Sequence, residues 1–143
     1  MKQNPLESLL RLRQMAADQA RRDLAECLRA ESEAVAAIAA IEATIAREME
    51  AASSLAAGDA DVEAFAAWLR TMRPKQQAAH GAQTAAEVAI LEARAVLGAA
   101  RAAVRAAEAV LEKQTAAAQA EELRKAQGQI DEVAGRTRLI KEM

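Results

Sequence analysis

The stretch "GDADVEAFAAWLRTMRP", residues 58–74, decides how the chain is read. It holds Phe65 and Trp68, the only aromatic residues of the protein, together with Gly58 and Pro74, two backbone breakers close in sequence. On either side the sequence is almost free of Gly and Pro and rich in residues that lose little on entering a helix. Gly58 suits the position just past a helix end, and Asp59 or Asp61 can cap the next helix. Arg73 precedes Pro74, and the residue before a proline is pushed out of the helical basin. The spacing therefore predicts a turn carrying a short helix, 58–74, between a first long helix over 4–57 and a second over 75–141. Pro74 either begins the second helix or kinks one that runs through it; the first is preferred.

The composition suits such a design. Ala fills 41 of the 143 positions, Tyr is absent, and aromatics make up 1% of the chain. A thick core needs bulky side chains in several layers, whereas a two-helix seam needs few. A bias to Ala, Glu, Arg, Leu and Gln with helical periodicity marks long helices and coiled coils. Asn4-Pro5 supplies an N-cap followed by Pro at the first helical position. Leu24, Leu28, Val35, Ile38, Ile45, Met49 and Ala52 form a stripe at four-three spacing, interrupted by Glu31 and Glu42, with Ile41 partly compensating. This helix runs about 50 residues, roughly 80 Å. In the second helix Ile90, Leu97, Val104 and Leu111 share one heptad position, and Ala86, Ala93, Ala100 and Ala107 share the other. Large residues alternating with Ala let two helices approach closely. The stripe fades through "QTAAAQAEE", 114–122, and restarts in another phase as Leu123, Ala126, Ile130, Val133, Thr137 and Ile140. Such a phase jump often marks a change of partner.

Neither half can hide its stripe alone. The expected fold is all-α, a long antiparallel two-helix coiled-coil hairpin forming one domain over 1–143, with both chain ends at one tip. A parallel dimer of longer helices is the competing arrangement.

The inventory argues against catalysis. His80 is the single His and has no second ligand nearby; the five Gly are scattered and form no phosphate-cradling loop. Paired acids such as Glu121-Glu122 point apart on a helix and line no pocket. No cofactor or metal is expected. Cys27 is alone, which removes a disulfide framework and suits a reducing cytoplasm; between Leu24 and Leu28 it reads as a small seam residue. A formal net charge of −2 argues against nucleic acid as a partner. The charge is uneven: residues 31–63 carry eight acids and only Arg47. "PLESLLRLRQ" lacks the apolar run of a signal peptide, and "AVAAIAAI", 34–41, is too short to cross a bilayer, so direct membrane insertion is not expected. Weak amphipathic binding to a membrane surface is an alternative, disfavoured because the polar faces mix signs. A generic coiled-coil scaffold is another.

Two terminal segments go further. "PLESLLRLRQMAADQARRDLAE", 5–26, resembles the opening of the FliJ family of flagellar type III export stalk proteins, in which a Leu-rich first turn leads into repeated Ala and Arg. "IDEVAGRTRLIK", 130–141, resembles the closing segment of that family, and an acidic loop followed by "FAAWLRTM" resembles its middle. Virulence-type secretion stalks share the layout. The resemblance implies an antiparallel coiled coil similar to the central shaft of rotary ATPases. Its paired ends would enter a hexameric export ATPase, and other surfaces would meet an export-gate membrane protein and export chaperones. It places Asp131, Glu132, Ala134, Arg136 and Arg138 at the inserted tip, with Arg11 and Arg13 facing the same region. The high Ala content departs from many relatives.

Phe65, Trp68, Leu69 and Met72 allow two readings. They either plug the open end of the hairpin, packing on Leu55 and Val88, or form a docking patch for the export gate or a chaperone. Partial exposure is expected, since a two-helix seam cannot bury four large side chains.

Overall fold

The computed structural model describes residues 4–54 and 56–143, and these form two α-helices, α1 (Pro5–Ala52) and α2 (Asp59–Glu142), packed against each other as a helical hairpin. Asn4 caps α1 as expected: its Oδ1 accepts the Leu6 N–H at 3.0 Å, and its carbonyl accepts from Glu7 and Ser8. Pro5 occupies the first helical position, where a missing N–H costs nothing.

The turn is built differently from the expectation. Gly58 does not end α1 in a left-handed conformation, for no described glycine has a positive φ. The helix ends instead at Ala52, where the Ser53 amide and hydroxyl both donate to the Met49 carbonyl, at 3.0 and 2.8 Å. Gly58 is the N-cap of α2: its carbonyl accepts from Asp61 and Val62, and the Asp61 carboxylate accepts the Gly58 N–H at 3.0 Å. This is the reciprocal half of a capping box, and the acidic Asp59 and Asp61 also complement the positive end of the helix.

Pro74 begins nothing. It lies inside α2, so residues 58–74 hold no separate helix and the second helix starts at Asp59, not at 75. The ring is exposed, two residues past half-buried Met72 and two before half-buried Gln76, on the face turned from α1. The Arg70 carbonyl that it leaves without an amide donor therefore faces the solvent side. Interior proline costs about 3 kcal/mol or more. Packing of Leu69, Met72, Gln76 and Ala79 on both sides of the ring offsets that cost and keeps the helix continuous.

Contacts group the chain into two compact units. The unit over Asp18–Ala99 holds the turn and the arms adjoining it. There a groove lined by Ala51 and Ala52 on one arm and Ala64 and Phe65 on the other sets the antiparallel register. Carried along the heptads, that register puts Leu97 opposite Ala20, Ile90 opposite Cys27, Leu24 opposite Ala93 and Ile38 opposite Ala79. Ala20, Ile38, Ile90 and Leu97 are buried, at 4–8% exposure. Each layer sets one large side chain against one small one, which lets the axes approach without leaving a void.

This pairing explains where the expected stripe of α1 fails. Leu24, Ile38, Ile45 and Ala52 are on the seam, but Leu28, Val35 and Met49 are exposed; Cys27 and Ala34 take the places of Leu28 and Val35 one residue earlier, and Ile41 that of Glu42. Glu31 is half-buried in line with the seam. The seam of α2 follows the expected phase, with Ala86, Ile90, Leu97 and Ala107 buried and Ala93, Ala100, Val104 and Leu111 half-buried.

The second unit joins α1 up to Ala17 with α2 from Ala100 onward. Its register is set by the hydrogen bond from Asn4 Nδ2 to Gln114 Oε1, 2.9 Å, and by a groove in which Leu6, Leu9 and Arg13 meet Ala103, Ala107 and Val110. Thr115, Ala116 and Gln119 still share a groove with Leu10; beyond them no described residue of α1 lines a groove with α2, and from Thr115 to the end of α2 every residue is exposed.

Candidate functional site

Two regions leave chemistry unspent. In the unit that contains both helix ends, α2 overhangs the described part of α1 by residues 120–142. Leu123, Ile130, Val133, Leu139 and Ile140 are 62–73% exposed there, a run of bare apolar side chains that water penalises. The hairpin seam, continued at its own period, would meet Lys125, Glu132, Gly128 and Gly135. Those positions offer a partner helix no apolar grip. The bare stripe of Leu123, Ala126, Ile130, Val133, Thr137 and Ile140 instead lies on a different face, as the phase jump implies.

The charged residues of this overhang are solvated. Arg136 Nη2 donates to Glu132 Oε1 at 2.6 Å, Arg124 pairs with Glu121, and Gln127 Nε2 donates to Asp131 Oδ1 at 3.0 Å. Arg138 is exposed and makes no ion pair among the described residues. Ala134 is exposed beside them.

Arg11 and Arg13 do not join that group. Arg13 lines the groove opposite Ala103 and Ala107, and Arg11 is exposed nearby in sequence. From Ala107 to Arg136 along α2 is about 43 Å at 1.5 Å per residue. The expectation that the two chain ends meet at one tip is thus corrected: α1 stops far short of the end of α2. The cause is the unequal arms, 48 residues in α1 and 84 in α2. Treating Pro74 as a helix start hid that inequality.

The other region is the turn. Phe65, Trp68, Leu69 and Met72 are all half-buried, and the rings of Phe65 and Trp68 stack tilted by 34° with centroids 5.9 Å apart. Phe65 and Trp68 line a groove with Ala51 and Ala52 at the end of α1, rimmed by Glu48 and Asp61. Val88 takes no part: it is half exposed and more than four helical turns beyond Met72 on the same helix. Leu55, the other expected neighbour, lies outside the described residues. Glu48 was not singled out from sequence, and Asp61 only as a helix cap, although the acidic run over 31–63 contained the signal.

Among the described residues no group of His, Cys, Asp or Glu is arranged to hold a metal ion, and no helix is long and apolar enough to cross a membrane. Cys27 is a free thiol, half-buried in the seam.

No curated protein and no solved structure matches the chain. The family model described as the flagellar FliJ protein matches residues 1–141. An unbroken match of that extent, on a hairpin whose opening, middle and closing segments carry the resemblance, shows that the chain belongs to the FliJ family, a component of the flagellar export apparatus.

Proposed function

We propose that the protein is the non-catalytic central stalk of the flagellar type III export apparatus, working at its cytoplasmic base. The overhanging end of α2 enters the hexameric export ATPase, and the turn end engages the export-gate membrane protein or export chaperones. The observation that supports this reading is the overhang itself. Residues 120–142 form a helix without a partner among the described residues, with an apolar stripe on one side and ion-paired, solvated charge around it. A segment that must turn or shift inside a ring needs contacts that are numerous but individually weak. Exposed ion pairs contribute only about 0–1 kcal/mol each. Asp131, Glu132, Ala134, Arg136 and Arg138 lie on this segment. Arg11 and Arg13 lie at its base, where the hairpin begins, and contact the rim of the ring rather than its interior.

Ring insertion is tested by charge reversal. Arg136→Glu with Arg138→Glu leaves the melting temperature unchanged, since both side chains are exposed, and lowers the stimulation of the export ATPase by the protein. An undiminished ATPase response rules out these residues as the contact.

The half-buried aromatic cluster supports the second contact. Trp68→Ala removes an anchor whose exposed edge can meet a partner. Export falls more than stability does in this variant. A collapse of helicity together with export identifies the cluster as a plug for the turn and nothing more.

A further inference from the structure

The groove at the turn has a charge character that restricts what it can hold. Between residues 48 and 64 the chain carries Glu48, Glu50, Asp59, Asp61 and Glu63 and not one Lys or Arg. Glu48 and Asp61 line the groove itself, and none of the five acids is in an ion pair among the described residues. The nearest preceding base, Arg47, is turned to the Thr44 hydroxyl. Asp61 is committed in part to the Gly58 N–H, but a carboxylate accepts several bonds and its second oxygen is free. Inside this acidic rim sit Phe65 and Trp68, with a volume of about 330 Å³ between them and the end of α1. That is room for one or two large side chains, open to solvent.

We propose that this groove receives a cationic segment of another protein, one that seats an apolar side chain against Phe65 and Trp68 and sets Lys or Arg on Glu48 and Asp61. The inference rests on reading the aromatic cluster as a docking patch and specifies the chemistry of what docks there. Aromatic faces attract cations, Trp most strongly, and the effect adds to the carboxylate rim. The acidic rim also disfavours the alternatives. Two copies meeting through this groove set Glu48 and Asp61 of each against those of the other, and phosphate-bearing surfaces, whether nucleic acid or anionic lipid, are repelled.

Trp68 is the single Trp of the chain, so its fluorescence reports this site without a label. The experiment titrates the full chain with an amphipathic Leu/Lys peptide and, separately, with the Leu/Glu peptide of the same pattern. The Leu/Lys peptide shifts Trp68 emission saturably, and added salt weakens the binding; the Leu/Glu peptide does nothing. Glu48→Gln, which removes the groove's other carboxylate, weakens the Leu/Lys peptide about twofold to fivefold, as expected for one exposed charge contact, while melting stays as in the parent. Asp61 is left intact because it caps α2. Phe65→Ala, which removes the apolar seat but no charge, also weakens binding and serves as a second variant.

Equal binding of both peptides overturns the charge argument while leaving a docking patch. Binding of neither overturns the proposal, and export by Trp68→Ala then decides whether any patch exists. A shift that appears on concentrating the protein alone, or on adding anionic vesicles, overturns it in favour of a second copy or a membrane.

Discussion

The layer of Ala20 and Leu97 carries the sharpest test of the hairpin. Leu97 is 5% exposed and Ala20 4%, and the register sets them face to face. Leu97→Ala removes three buried carbons. Leu→Ala substitutions in closed cores cost about 2.7–5 kcal/mol, and in a two-layer seam open at its sides the low end applies, about 2–3 kcal/mol. Ala20→Leu fills a place already occupied and forces the helices apart at a cost of about 1–3 kcal/mol. The double variant exchanges the large and the small residue across the seam and restores one of each. Its loss is therefore smaller than the sum of the single losses by at least about 1–2 kcal/mol, a coupling typical of residues in contact. Urea unfolding followed by helical circular dichroism reads this directly. With a slope of about 1–3 kcal/mol per molar urea, a 2 kcal/mol loss moves the midpoint by roughly 0.7–2 M, well outside its error. Additive losses, or an Ala20→Leu variant as stable as the parent, refute the pairing. They would fit a parallel dimer, in which residues 20 and 97 lie far apart on different layers.

Pro74→Ala restores the amide donor for the Arg70 carbonyl on the exposed face of α2 and raises stability by about 1–3 kcal/mol, less than the full helix penalty because proline also restricts the unfolded chain. A lowered urea midpoint for this variant shows that the ring makes contacts of its own. Deleting residues 118–143 removes side chains that are all exposed. The shortened chain keeps its thermal midpoint within a few degrees and loses ATPase stimulation; a fall of more than about 8 °C, beyond what 1 kcal/mol produces in a domain this small, shows that the overhang is part of the folded core.

Particular residues show how far the sequence could be followed. Helicity, the N-cap at Asn4 and the α2 seam from Ala86 to Leu111 were legible because they depend on local propensity and on a regular heptad. The seam of α1 was legible only at every second position. Leu28 and Val35 outweigh Cys27 and Ala34 in any reading that follows size alone. The face turned to the partner helix is the other one: Cys27 is half-buried and Ala34 buried, while Leu28 and Val35 are exposed. Pro74 was misread for the same reason, since its cost is local while the packing that offsets it comes from α1.

The functional regions divide likewise. The aromatic pair, the acidic run and the phase jump after residue 114 were visible as patterns. That Glu48 and Asp61 rim one groove, and that Arg13 and Arg136 lie about 43 Å apart along the helix, followed only once the register was known. By itself, then, the amino-acid order determined that this chain is helical, that it doubles back around Gly58, and which segments repeat. The tertiary structure decided which face of α1 is inside, whether α2 breaks, and how far it outruns its partner. Propensity acts within a few residues along the chain, whereas fit between a large side chain and a small one is a property of two segments brought together.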